Sequence, residues 1–280
     1  MTNLLERLTA PGAGPWLSHA DYAAALLLRG APDWLESDRI AAWLRQAQGL
    51  LASSVVEVDL GAIASHWLDR DSALRHAMAT KSRPAYPLRT LLESHNLRAQ
   101  IVSLVESIAA SLQGTPLVCV IPSPSAWTMQ AYAAGFAGER PELDDDIVET
   151  AACYSADLIR ELPENCVSGV LIDTSCDTCP PTTEHLQLFQ PIFNVARHYR
   201  WGAGVLAPQG PWSAEIGREG PDFVISPTPV SGRLTGLIVE QSFWQGVVPP
   251  PAPAIDCFRY ARIPADASPE QVLKQKLLLQ

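Results

Sequence analysis

Positive charge is scarce in this chain: Lys and Arg number 20 against 30 Asp and Glu, for a net charge of -10. Binding a phosphate backbone needs clustered Lys and Arg, so the balance argues against a nucleic-acid partner, and an anionic membrane surface would repel the protein. Long apolar runs are missing too; none approaches the roughly 18 residues that a membrane span needs. Met1 to Pro11 shows no charged start leading into an apolar run, so no secretory signal is read there. The six cysteines lie at irregular spacing and do not form a disulfide framework. Together these absences lead to the expectation of a reduced, cytoplasmic protein with a small-molecule partner. What the chain does have is apolar residues, 47% against 18% charged, which is enough for an ample core and against disorder. At 280 residues it lies at the upper end of what one core supports, and a single domain over 1–280 is expected.

The first 51 residues have a helical pattern. Ser18 is a plausible N-cap, Tyr22 to Leu28 is Ala- and Leu-rich, and Gly30-Ala31-Pro32 breaks the segment. From about Ser37 to Leu51, Ile40, Trp43, Leu44 and Ala47 share one helical face. Residues 1–51 are therefore expected as a helical segment packed on the rest of the domain. Val55 to Asp59 is a β-branched strand ending in an acid. After an irregular stretch, Leu92 to Leu112 is helical, and Pro116 to Ile121 is a continuous apolar run of the kind buried on both faces of a parallel sheet. Asp144-Asp145-Asp146 opens a helix through Leu162, with acids where the helix dipole favours them. Val167 to Asp173 is another strand ending in an acid. A helix at Glu184 to Arg200, strands at Gly202–Leu206, Asp222–Ser226, Leu234–Glu240 and Phe258–Arg262, and a helix at Pro269–Leu279 complete the pattern. Strands alternating with helices imply parallel strands joined by crossovers. The proline-rich run over 249–253 is a stiff loop, too short to separate domains.

One segment is more specific: a buried strand from Pro116, a Ser/Pro turn carrying Ser123 and Ser125, then Trp127-Thr128, Tyr132 and Gly135. It resembles the strand–turn–helix of uroporphyrinogen decarboxylases, in the superfamily that also holds the cobalamin-independent methionine synthases. Val55–Gly61 and Val170–Ser175 with Phe189-Gln-Pro191 resemble two further family segments in the same order. The resemblance implies an α/β fold, a (β/α)8 TIM-type barrel, complete or abbreviated, with N-terminal helices. Its chemistry would lie at the C-terminal mouth, with Asp59 where the family's Asp anchors substrate NH groups, Tyr132 over the mouth, and Asp173 and Thr174 at its rim. A homodimer is implied by the same analogy. The departures are specific. Pro15 to Tyr22 holds no arginine where the family clamps substrate carboxylates, and Arg262-Ile-Pro-Ala-Asp266 stands where a Gly-His-Gly turn is expected. A tetrapyrrole with eight carboxylates is therefore rejected. Gly202 to Pro208 also lacks the His-x-Cys zinc pair of the methyltransferase branch.

The leading expectation is a metal-independent lyase or decarboxylase acting on a small organic substrate, aromatic ones included, and needing no cofactor. Asp59, Tyr132 and Asp173 would be catalytic, a carboxylate or phenol there serving as base or hydrogen-bond donor. Ser123, Ser125, Trp127, Thr174, His19 and His66 would bind substrate, and His76 is weighed beside His66. Each acid has a plainer alternative, capping the next helix or pairing with an Arg. Tyr132 and Trp127 could simply be core. Trp212 and Trp244 could line a pocket or cover the core. Cys176-Asp-Thr-Cys179, with His185 nearby, is read as accidental spacing or as a zinc site with Cys176 and Cys179 as ligands. The zinc option carries the alternative of a methyltransferase or demethylase, and the missing clamp motivates a third, an inactive barrel kept as a binding protein.

Overall fold

The computed structural model describes residues 3–28, 30–112, 114–212, 214–252 and 254–279. Eight parallel strands form a nearly closed barrel: β1 (Trp16–Ser18), β2 (Val56–Asp59), β3 (Leu117–Pro122), β4 (Gly169–Asp173), β5 (Gly202–Leu206), β6 (Phe223–Ser226), β7 (Leu234–Ile238) and β8 (Cys257–Arg262). Neighbouring strands pair from β2 round to β8 and on to β1. The β1–β2 seam has no ladder. It is held instead by Ser54 N donating to Pro15 O at 3.0 Å and Leu17 N donating to Ser53 Oγ at 2.8 Å.

The register sorts side chains with a period of two. Trp16, Val118, Val120, Leu171, Leu206, Phe223, Ile225, Phe258 and Tyr260 pack together inside the barrel. Val56, Val58, Cys119, Ile121, Val170, Ile172, Ala203 and Val205 face the helices outside. Glycines make room for the inner rings. Gly204 is the register partner of Phe223 and Gly236 of Phe258, and a Cβ on Gly204 would stand 2.2 Å from the Phe223 ring. The N-terminal end of the barrel is filled by α1 (Leu4–Thr9), whose Leu4 and Leu8 are 1% and 3% exposed within this inner cluster.

The outer layer is uneven. Between β1 and β2 lie α2 (Ala20–Ala23), which continues into a π turn at Ala24–Leu28, and α3 (Ser37–Leu51). Between β2 and β3 run α4 (Leu60–Arg70), α5 (Ser72–Met78), α6 (Tyr86–Leu92) and α7 (His95–Ser111). Next come α8 (Pro124–Gly135) and α9 (Asp145–Arg160), then α10 (Thr183–Leu188) and α11 (Gln190–His198). The links after β5, β6 and β7 have no α-helix among the described residues. A 3-10 turn at Gln241–Gln245 and the final α12 (Pro269–Lys276) cover that side, with Phe243, Trp244 and Val272 buried there.

Two expectations need correction. Residues 1–51 are not only a helical segment packed on the barrel: they supply strand β1 and the helix that fills the barrel's end. A three-residue strand is too short to show a period. The stretch expected to be irregular after Asp59 is three helices, started by the side-chain caps of Asp59 and Asp71 and by Pro87 in the first turn of α6. Residues 249–252 of the proline-rich run are loop, as expected, and Pro253 lies outside the described residues.

Candidate active site

The C-terminal ends of the strands gather a charged cluster over the apolar interior. Glu57 and Asp59 alternate on the inner face of β2, Asp173 ends β4, and Tyr260 and Arg262 alternate on β8 beside Trp16 and Ser18. The Trp16 indole Nε1 donates to Glu57 Oε1 at 2.8 Å. Burial pushes the Glu57 carboxyl above its ordinary value; the Ser18 hydroxyl, Arg262 and Trp16 draw it back only in part, and Asp59 pushes it further up.

Asp59 caps α4 by accepting from Ala62 N at 2.9 Å. Solvent reaches it through the mouth, but protein surrounds the carboxylate on its other sides. Burial therefore raises its pKa, the Ala62 N–H opposes this, and repulsion from Asp173 adds to the rise. Gly61 secures the geometry, since a Cβ there would lie 2.6 Å from Pro122 Cγ and 3.2 Å from Asp59 Oδ1. Asp173 Oδ1 accepts from Ser175 N at 2.8 Å and from the Ser175 hydroxyl, and its Oδ2 is 3.8 Å from Arg262 Nη2. Burial works against the Arg262 charge, and Tyr260, Asp173 and Glu57 around it more than restore it. The Tyr260 phenol, buried beside Glu57, is pushed well above its usual range. On the β5–β8 side a cleft of about 270 Å³ opens next to this cluster, with Tyr260 and Arg262 in its wall.

Of the residues singled out from sequence, Asp59 and Asp173 are brought together at the mouth. Thr174 sits beside them but is fully buried, its Oγ1 donating to Leu206 O at 2.8 Å, so it ties β4 to β5. Ser123 caps α8 and donates to Asp177 Oδ1 at 2.8 Å. Ser125 faces a separate crevice of about 500 Å³ that also holds Cys176, Cys179 and His185.

Three expectations fail on position and a fourth, His19, on burial. Tyr132 does not stand over the mouth. α8 starts at Pro124 and carries it about 12 Å away at ~1.5 Å per residue, where it is buried and stacked on Phe136 with ring centroids 4.5 Å apart. Trp127 is 2% exposed in the outer core. His66 lies on α4, 3.0 Å from Asp33, which Arg70 also holds at 2.6 Å. His19 is at the mouth end of β1 but only 4% exposed, and neither ring nitrogen has a partner among the described residues. Burial lowers its pKa to about 4. His76 is exposed at the end of α5. Trp244 donates to Arg262 O at 2.9 Å and Trp212 to Ala214 O at 2.8 Å, so both indole N–H groups serve the backbone.

Glu57, Tyr260, Arg262 and Ser18 were missed as site residues. Their signal was in the sequence: a Glu two residues before Asp59 inside a β-branched strand has the same facing as Asp59, and Tyr260 and Arg262 repeat that spacing on the last strand. Among the described residues no three His, Cys, Asp or Glu side chains come together as a metal site, and Cys176 and Cys179 are both exposed.

The fold defines the class: an eight-stranded parallel α/β barrel with a polar, partly desolvated cluster at the C-terminal strand ends, the end where enzymes of this architecture place their chemistry. No family model matches the chain, and no curated protein matches it. No helix among the described residues is long and apolar enough to cross a membrane.

Proposed function

We propose that the protein is a metal-independent carboxy-lyase that works at the barrel mouth on a small organic acid. The observation that carries this reading is the pair Glu57 and Asp59 on one face of β2, both with raised pKa, beside Asp173 and Arg262. Carboxyls raised by burial keep their proton to higher pH than free ones and can deliver it to carbon, which is the step a decarboxylase must supply. A substrate carboxylate brought beside Asp173 is repelled, and loss of neutral carbon dioxide removes that repulsion. The carbon–carboxylate bond breaks, its electron pair stays on the substrate carbon, and the protonated Asp59 gives that carbon its proton. Water then restores the Asp59 proton. The cleft of about 270 Å³ beside the cluster is of a size for a small organic substrate. The superfamily resemblance around Trp127–Gly135 supports the same reaction class. The methyl-transfer alternative has less support, because among the described residues no three His, Cys, Asp or Glu side chains converge as a metal site.

The test is a panel of small aromatic and aliphatic carboxylic acids in deuterium oxide, with carbon dioxide release and deuterium at the vacated carbon as readouts. Turnover that falls about a hundredfold or more in Asp59→Asn and in Glu57→Gln is the expected result. Turnover unchanged in both variants, or no carbon dioxide from any acid in the panel, refutes the reading.

A further inference from the structure

Arg262 faces two ways. On one side it has Asp173, its one ion-pair partner among the described residues, in a loose contact at 3.8 Å. On the other it forms part of the cleft wall. More than half of its side-chain surface is exposed, which leaves it accessible to a ligand, with Tyr260 beside it in the same wall. The rest of that wall is mainly apolar: Leu206, Pro208, Ile238, Val239, Ile263 and Pro264. Two acids, Asp21 and Glu240, stand exposed at its edge.

A planar cation in an apolar cleft matches a planar anion on an apolar body, and guanidinium binds carboxylate through two parallel N–H···O bonds. The acids at the edge act against further negative charge on the same part of the ligand. We infer that this cleft is a binding site for a compact, apolar-bodied carboxylate, such as a single ring bearing one carboxylate, with the carboxylate on Arg262 and the ring against Leu206, Ile238 and Val239. This rests on the carboxy-lyase reading in one respect: the carboxylate on Arg262 is the one the reaction leaves in place. The group that is lost lies on the side of Asp59 and Asp173. The substrate class is then a small cyclic or aromatic diacid, and the product is a monocarboxylate that still fits the cleft.

The experiment uses benzoate as the probe and benzamide as its neutral counterpart of the same shape, with binding to the full chain followed by ligand-observed NMR. Wild-type protein is expected to bind benzoate and to discriminate against benzamide. Arg262→Gln is expected to weaken benzoate about tenfold to a hundredfold, the loss of charged hydrogen bonds. Arg262→Lys, which keeps the charge without the fork, is expected to fall between the two. The benzamide comparison needs no variant, so it stands even if Arg262→Gln folds poorly. Equal binding of benzoate and benzamide, unchanged binding in Arg262→Gln, or no benzoate binding up to about 10 mM overturns the inference. If benzoate behaves as expected while the panel of carboxylic acids, cyclic and aromatic diacids included, yields no carbon dioxide, the site stands and the carboxy-lyase reading falls.

Discussion

Glu57 keeps its proton longer in the folded chain than in the unfolded one, and this gives its contribution a definite sign. The ordinary value is 4.5 and the folded value lies above it. Between the two the native state binds more protons, so this residue lowers stability as pH rises through that window and is neutral below it. Glu57→Gln should therefore match wild type at acidic pH and exceed it at pH 8, as read by urea unfolding at both. A wild-type advantage at pH 8 would contradict the desolvated site. His19 has the opposite slope. Its value falls from 6.5 to about 4 on burial, so stability is lost as pH drops from 6.5 toward 4, by about 3 kcal/mol at ~1.36 kcal/mol per unit. His19→Leu should abolish this acid sensitivity, and at pH 7.5 it should be at least as stable as wild type, because two unpartnered ring nitrogens leave the interior. Asp59→Asn keeps the helix cap, since Asn caps as well as Asp does, and at pH 8 it should be at least as stable as wild type because a raised carboxyl is removed. Any loss of activity in that variant then belongs to the site and not to the fold.

At the scale of elements, the strands owe their packing to the pairing of a glycine with a phenylalanine across the ladder. Gly204→Ala would push a methyl group into the Phe223 ring, which is fully buried and has no room to move. A loss of about 1–3 kcal/mol in denaturant titration is expected, rising further if β5 shifts. This scale also explains what the sequence could and could not disclose. Long strands such as Leu117–Pro122 announced themselves as continuous apolar runs, and the terminal acids of two other strands, Asp59 and Asp173, did reach the mouth. Trp16–Ser18 was hidden by its length. Tyr132 was misplaced because a match in spacing along a helix says nothing of where that helix starts, and here Ser123 and Pro124 start it at the strand's end. Glu57 and Arg262 needed only the period-two rule applied to polar residues as strictly as to apolar ones.

For the molecule as a whole, the barrel was legible because strand and helix alternate over most of the chain. Its thin side was less so, since the connections after β5, β6 and β7 have turn-rich sequences that identify no covering element. The N-terminal helix is the least expected part of the architecture. Leu4 fills the space over Gly169 and Gly202, whose hypothetical Cβ atoms would stand 2.5 and 3.0 Å from it. Leu4→Ala should cost about 2–5 kcal/mol in unfolding free energy, the range for a buried Leu that leaves a cavity. A change below about 1 kcal/mol would mean that α1 is not seated there in solution.

The cleft wall has a kinetic consequence. The carboxylate that Arg262 would hold is carried by substrate and product alike, so the two contend for one seat. A product that lingers on Arg262 stands in the path of the next substrate, so inhibition by product should be strictly competitive, with the apparent KM rising and kcat unmoved.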